Sequence, residues 1–99
     1  MESTTTSRKK RLELREYCNI KVEFSLVPDD CDSGDCGPWH NITSDISFGG
    51  MGIFSERPFE PGQKLNVYFR HVSSLPYIVR VVWCQKIDNS LYRVGLEYC

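Results

Sequence analysis

The sequence predicts an all-β domain, either a barrel or a sandwich. Six short segments have strand-like patterns and are separated by turn residues, and no segment keeps a clear 3.6-residue period. The first segment shows the pattern best, because Ile20, Val22, Phe24 and Leu26 alternate with polar residues, as in a strand with one buried face. The length of 99 residues suits one domain, and 40% hydrophobic with 25% charged residues is typical of globular proteins.

The other five strands follow in order along the chain. Pro61-Gly62 fits the centre of a type II turn before the fourth strand, and residues 87–90 fit a hairpin connection before the sixth. In the fifth strand we expect Trp83 to lie in the core together with Val79 and Val81, with a place at the edge of a binding site as the alternative. After the polar loop 27–38, the strands are predicted at 39–46, 51–55, 65–70, 77–85 and 92–98.

Charge is distributed unevenly along the chain. Residues 1–15 carry five Lys or Arg and two Glu, a net charge of +3, and the remainder carries a net charge of -4. A chain without a broad basic face is a poor binder of long nucleic acid. The basic cluster suits a small anionic ligand, or it is a solvated tail. We expect residues 1–7 to be flexible, and residues 8–17 are too short and too charged to form an isolated helix.

The cysteines indicate the compartment. No apolar run approaches a membrane span and no secretory signal is visible, so we expect a cytoplasmic protein that binds no membrane and keeps its thiols reduced. Cys31, Cys36 and His40 have a spacing that zinc could use, but a fourth ligand would have to be a nearby aspartate. We therefore expect free thiols and no metal, with zinc or a disulfide as alternatives. Cys18 and Cys84 are expected to be small buried residues.

Two short motifs carry the functional information. "RLELR" places Arg11 and Arg15 four residues apart just before the first strand, and "DISFGG" places Asp45, Ser47 and Gly50 at a turn between strands. Together, in this order, they resemble the RxxxR and [D/N]xSxxG motifs of the PilZ domain family. The segments "PFEPGQKL", "RVVW" and "YRVGLEY" also resemble that family, so the resemblance covers residues 8–99.

The resemblance implies a six-stranded antiparallel barrel that binds cyclic di-GMP, a bacterial second messenger, and has no catalytic activity and no cofactor. It also implies a basic N-terminal arm, mobile when empty, that folds over the ligand and alters contact with a bacterial protein partner. Lys10, just before the first motif, is at a position linked in the family to binding one ligand or a stacked pair. Many members add a C-terminal helix, and we expect none here.

The residue types suit this ligand chemically. An arginine guanidinium matches the O6 and N7 acceptors of guanine with two parallel hydrogen bonds, and it can also stack on a base or bind phosphate. The carboxylate of Asp45 can accept from the N1 and N2 donors of guanine, and Ser47 can add a hydroxyl contact. Gly50 lacks a Cβ, so we expect it to adopt a positive φ and to let the ligand approach the backbone.

Three other interpretations stay open at this point. The chain could be a PilZ-like barrel that only binds proteins, or a small barrel that binds single-stranded nucleic acid, although its acidic body disfavours the latter. Asp45 and Ser47 could also bond only to the backbone of a hairpin turn.

Arg80 and Arg93 are expected to pair with Glu97 or Glu23 across strands. A hydrolase is disfavoured because no GxSxG motif surrounds Ser47.

Overall fold

The computed structural model of the protein describes residues 18–31, 34–69 and 75–99. Lys10, Arg11, Arg15 and the tail 1–7 lie outside these described residues. The strands are β1 Lys21–Leu26, β2 Trp39–Ile46, β3 Gly50–Ser55, β4 Lys64–Tyr68, β5 Tyr77–Asp88 and β6 Leu91–Tyr98.

The six strands form one closed antiparallel barrel. Their spatial order is β1-β2-β3-β6-β5-β4, and pairing of β1 with β4 closes the ring. Within the described ranges there is no α-helix, and the one short helical turn is a 3-10 helix at Pro28–Asp30. No helix in this part of the chain is long and apolar enough to cross a membrane. The predicted six-stranded antiparallel barrel is confirmed.

Along each strand, alternate side chains point into the barrel and fill its interior. Val22 and Phe24 of β1 are buried as the sequence pattern predicts, and Val94 and Leu96 of β6 are buried in the same way, with Tyr92 and Tyr98 packed against the core. Apolar residues of β3, β4 and β5, together with two phenylalanines before and after β4, complete one hydrophobic cluster, namely Met51, Ile53, Phe59, Leu65, Val67, Phe69, Val79 and Val81. Consequently the outer wall carries the residues that alternate with this set.

Two turns and the strand ends refine the predictions. Gly62 has a φ of 98°, and the N–H of Gln63 donates to the carbonyl of Glu60 at 3.1 Å, which confirms the type II turn. β5 is longer than predicted and continues to Asp88, so the final turn is at 89–90. The register of β5 against β6 shifts between Val81 and Trp83. This bulge reverses the alternation, so the prediction that Trp83 is a core residue is wrong.

The loop 27–38 also differs from expectation. Cys31 and Cys36 are joined as a disulfide, so the expectation of free thiols is wrong for this pair. The reason lies in the loop geometry, which brings their Cα atoms to 5.8 Å, within the usual range for a disulfide of about 4.4–6.8 Å. Cys18 and Cys84 are half-buried rather than fully buried, and Cys99 is exposed.

Candidate functional site

A cleft of about 490 Å³ lies on the outer wall of the barrel, across β3, β6 and β5. Its floor consists of three glycines, Gly50, Gly52 and Gly95, which face outward because their neighbours in β3 and β6 point into the core. Gly52 is paired with Gly95 across the two strands. The volume is in the range of about 300–1,000 Å³ that small-molecule pockets occupy.

The floor needs glycine because other groups lie directly against its backbone. A Cβ on Gly52 would collide with Oδ1 of Asp45, and a Cβ on Gly95 would collide with the indole of Trp83. A Cβ on Gly50 would collide with the carbonyl oxygen of Leu96. The positive-φ glycines are Gly34, Gly37 and Gly62, so the expected positive φ at Gly50 is wrong, and close packing of two backbones explains that glycine instead.

One wall of the cleft is a buried, charged cluster on β2. A register shift between Thr43 and Asp45 inserts Ser44 as an extra residue, and Asp45 then faces the cleft floor although it is only 2% exposed. The hydroxyl of Ser44 donates to Oδ1 of Asp45 at 2.7 Å, and Nη2 of Arg93 lies 3.4 Å from the same oxygen. The carboxylate is therefore held at the edge of the floor with a cation beside it.

The opposite wall is formed by Val82 and Trp83 of β5. Trp83 is 41% exposed, and the guanidinium of Arg93 lies 5.8 Å from the centre of its ring. Arg93 thus contacts both walls, and it pairs with Asp45 rather than with Glu97 or Glu23 as expected. The predicted cross-strand pair does form for Arg80, whose Nη1 lies 2.9 Å from Glu97.

Ser47 lies at the turn that ends the first wall. Its N–H donates to the carbonyl of Gly50 at 2.9 Å, and its hydroxyl donates to the same oxygen at 3.3 Å. Phe48 follows at the tip and is 92% exposed. The local bonds are those of a hairpin turn, and they leave Ser47 lining the same cleft as Asp45 and Gly50.

The chain enters the barrel next to this cleft. Residues 18–20 run beside β2, where Oγ1 of Thr43 donates to the carbonyl of Cys18 at 2.6 Å and accepts from the N–H of Ile20 at 2.9 Å. Thr43 is fully buried and is two residues before Asp45. The structure therefore brings Asp45, Ser47 and Gly50 together, and anchors the chain that leads to Arg15 beside them.

Sequence reasoning missed Ser44, Gly52, Gly95 and the role of Arg93. The alternation of β6 already indicated that Arg93 faces away from buried Val94. The neighbour it meets depends on the order β2-β3-β6 around the barrel, which involves positions 48 residues apart. In the sequence, the glycines at alternate positions in "GGMG", Gly50 and Gly52, were the sign that one strand face has no side chains.

A second cleft, of about 460 Å³, lies near the start of β2 and the end of β3. The guanidinium of Arg57 lies 4.5 Å from the ring centre of Trp39, and its Nη1 is 3.5 Å from the carboxylate of Asp35. The indole N–H of Trp39 donates to Asp35 at 3.1 Å and the N–H of Gly37 at 3.2 Å. These hydrogen bonds, and then the charge of Arg57, hold the pKa of Asp35 below its usual 3.8.

No metal centre is visible in the part of the chain that the structure describes, since no three His, Cys, Asp or Glu residues lie close enough to hold an ion there. The zinc alternative needed Cys31, Cys36 and His40. The two sulfurs are bonded to each other, and Nε2 of His40 lies 3.3 Å from Glu23. These residues therefore form separate contacts in this structure.

The fold and the cleft together define the class of protein, a β-barrel domain with a candidate ligand site. The barrel is closed and six-stranded, and the polar cleft with its glycine floor lies on the outer wall. The model of the PilZ domain family matches residues 8–99, nearly the whole chain, and the protein belongs to that family. The predicted family is thereby confirmed, and PilZ domains are cyclic di-GMP-binding domains rather than enzymes. Neither the curated proteins nor the solved structures gave a match.

Proposed function

We propose that this protein is a cyclic di-GMP receptor that works in the bacterial cytoplasm and has no catalytic activity or cofactor of its own. The observation that carries the proposal is the joint lining of one outer cleft by Asp45, Ser47 and Gly50 in a PilZ domain. A buried carboxylate beside a floor without side chains suits a flat heterocycle with N–H donors on its edge. Guanine is such a heterocycle, and cyclic di-GMP carries two of them.

In this proposal a guanine lies in the cleft between Asp45 and Trp83, which already cover the backbone of Gly52 and Gly95, and its N1 and N2 donors face Asp45. Trp83 is at the edge of the floor and offers an aromatic face, which is a favourable neighbour for a base. Arg93 already shares Asp45 and can move toward a phosphate or a guanine acceptor without leaving the cleft. These contacts explain why the site combines a carboxylate, arginine and bare backbone.

The length of the chain between the arm residues and residues 18–20 is short enough for the arm to act at the cleft. Arg15 is three residues before Cys18, and an extended chain spans at most about 3.6 Å per residue, so its Cα lies within about 11 Å of Cys18. The same calculation limits the distance from the Cα of Arg11 to Cys18 to about 25 Å, and the limit for Lys10 is slightly greater. Arg11 and Arg15 can therefore contact the two guanines or phosphates while residues 18–20 stay on the barrel.

Folding of residues 8–15 over the bound ligand would change the surface next to the cleft, and we propose that a bacterial protein partner recognises this change. The ordering costs conformational entropy, which the charge-assisted hydrogen bonds must exceed. Among the described residues that line the cleft, Arg93 is the one cation, which disfavours a long phosphate backbone, so neither long nucleic acid nor a membrane is a proposed partner.

The test is calorimetric titration of the full chain with cyclic di-GMP, with GTP and cyclic di-AMP as controls. We expect saturable binding of cyclic di-GMP alone. Asp45→Asn should weaken it strongly, because an amide presents an N–H where guanine also has one. Asp29→Asn is the matched control, because Asp29 is exposed in the loop after β1 and lines neither cleft. If the folded wild type gave no binding signal, the domain would instead be a protein-interaction module.

A further inference from the structure

The loop between β1 and β2 contains a pair of cysteines whose positions are fixed by the barrel. The N–H of Leu26, the last residue of β1, donates to the carbonyl of Cys36 at 3.0 Å, and the N–H of Cys31 donates to the carbonyl of Pro28 at 3.2 Å. The 3-10 turn before Cys31 is itself tied to β4, because the N–H of Lys64 donates to Asp30 at 2.7 Å. None of these hydrogen bonds involves a sulfur atom, so we expect them to keep the cysteines close enough to re-form the disulfide after reduction, while the segment between them loosens.

The pair also has the exposure that exchange requires. Cys31 and Cys36 are half-buried, and Gly34 and Asp35 between them are exposed, so a small reagent can reach the sulfurs. Exposed disulfides are the labile ones in proteins, whereas buried ones resist reduction. Cys84 and Cys99 take part in no disulfide among the described residues and serve as internal references.

Asp35 connects this loop to the second cleft. It is adjacent to Cys36 and accepts hydrogen bonds from the indole of Trp39 and from the backbone N–H of Gly37. Arg57 approaches both its carboxylate and its carbonyl oxygen, at 3.5 Å and 3.4 Å. Asp35, which forms one wall of the second cleft, therefore lies in the short segment between the two bonded cysteines.

We propose that Cys31 and Cys36 form a reversible thiol–disulfide exchange site for a low-molecular-weight thiol, and that the oxidised pair fixes the Asp35 wall of the second cleft. A thiolate of the external thiol attacks one sulfur of the pair, forms a mixed disulfide and releases the other cysteine, which takes a proton. A second external thiol attacks the mixed disulfide and leaves as the oxidised dimer. Two external thiols are oxidised and the protein disulfide is reduced by two electrons; the oxidised dimer reverses the reaction.

The inference is independent of cyclic di-GMP binding, because it concerns a different part of the barrel. Cys31 and Cys36 lie in the loop before β2, whereas Asp45 and Ser47 lie at the end of that strand and beyond it. Failure of the ligand proposal would leave the exchange site untouched. The converse also holds, since no residue of the first cleft lines the second.

The experiment equilibrates the full chain in buffers with different ratios of reduced to oxidised glutathione. Each sample is quenched with an alkylating reagent, and mass spectrometry measures the fraction of Cys31 and Cys36 that is bonded. The indole N–H signals of the two tryptophans are followed by NMR in the same buffers, and Trp83→Phe assigns them. Cys31→Ser with Cys36→Ser is the control that cannot respond.

We expect both cysteines to convert together at an intermediate glutathione ratio, while Cys84 and Cys99 stay reduced. The indole signal of Trp39 should shift along the same curve, because its acceptor Asp35 is released, and the signal of Trp83 should not. A pair that stays bonded, or stays reduced, at every ratio would overturn the exchange site. Conversion without a shift of the Trp39 signal, while the barrel amides stay dispersed, would overturn the link to the cleft.

Discussion

At the scale of single residues, Asp45 is the buried charge that most needs stabilising neighbours. A carboxylate that is 2% exposed loses most of its hydration, and such a group is tolerated only with hydrogen bonds and a nearby cation. Ser44 supplies the hydrogen bond and Arg93 supplies the cation. The register shift between Thr43 and Asp45 in β2 accompanies this arrangement, in which the carboxylate lines the cleft.

The two arginines before the barrel give the first prediction. We expect Arg11→Ala and Arg15→Ala each to weaken cyclic di-GMP binding by about 1.5–3 kcal/mol, the usual contribution of hydrogen bonds to charged groups. The thermal unfolding of both variants should match wild type, because both residues precede the first strand. Wild-type affinity for either variant, measured by calorimetry, would show that its arginine is not a ligand contact.

The cleft glycines give a second prediction. It distinguishes a glycine that is required by a neighbouring backbone from one that is required by a neighbouring side chain. Gly50→Ala would push a methyl group into the carbonyl of Leu96 on the neighbouring strand, and that backbone cannot move without disturbing the β3–β6 pairing. We expect a loss of about 1–3 kcal/mol in the free energy of unfolding, as for overpacked sites.

Gly95→Ala is the matched comparison. The atoms nearest to the added methyl group would belong to the indole of Trp83, a side chain that is 41% exposed and can rotate outward. Urea unfolding should therefore show a smaller loss than for Gly50→Ala, while cyclic di-GMP binding falls because Trp83 is displaced from the wall of the cleft. Equal destabilisation by the two substitutions would mean that Trp83 is more firmly held than its exposure indicates.

At the scale of elements, alternation predicted the strands well and their interruptions poorly. Val22 and Phe24 were assigned to the core correctly because their alternation is unbroken. Trp83 was assigned wrongly because one extra residue, Val82, reverses the alternation in the middle of β5. A bulge is decided by the pairing of two strands, and a pattern along one strand does not contain that information.

The N-terminal segment gives the prediction at this scale. Residues 8–15 carry strong charge and little apolar surface, and the chain that follows them is anchored on Thr43. We expect backbone order parameters of this segment to be low in the free protein and to rise when cyclic di-GMP binds. Rigid amides in the ligand-free protein would remove the ordering step from the proposed mechanism, although they would not remove the site.

At the scale of the whole molecule, barrel closure creates the candidate site. The order β2-β3-β6-β5 brings together Asp45, Arg93 and Trp83, which are far apart in sequence and lie on three different strands. The sequence motif indicated Asp45, Ser47 and Gly50, because these lie within six positions of one another. The rest of the cleft could not be derived from the chain alone, since it depends on which strands become neighbours.

The distribution of charge over the molecule predicts how binding responds to salt. The basic cluster is confined to residues 8–15 and cyclic di-GMP carries two negative charges, so few counterions are released and affinity should fall only mildly with salt. A guanine-rich oligonucleotide would lose orders of magnitude if it made several phosphate contacts. Paired titrations at two salt concentrations distinguish these cases. Tight, steeply salt-dependent oligonucleotide binding without a cyclic di-GMP signal would favour a nucleic-acid binder.

The central claim is that cyclic di-GMP binds in the cleft between Asp45 and Trp83, and the two tryptophans test it most directly. Trp83 lines this cleft and Trp39 lines the other one. An NMR titration of the oxidised full chain with cyclic di-GMP should therefore shift the indole N–H signal of Trp83 in a saturable way and leave that of Trp39 in place. A saturable shift of Trp39 alone, or binding that moves neither signal, would contradict the account.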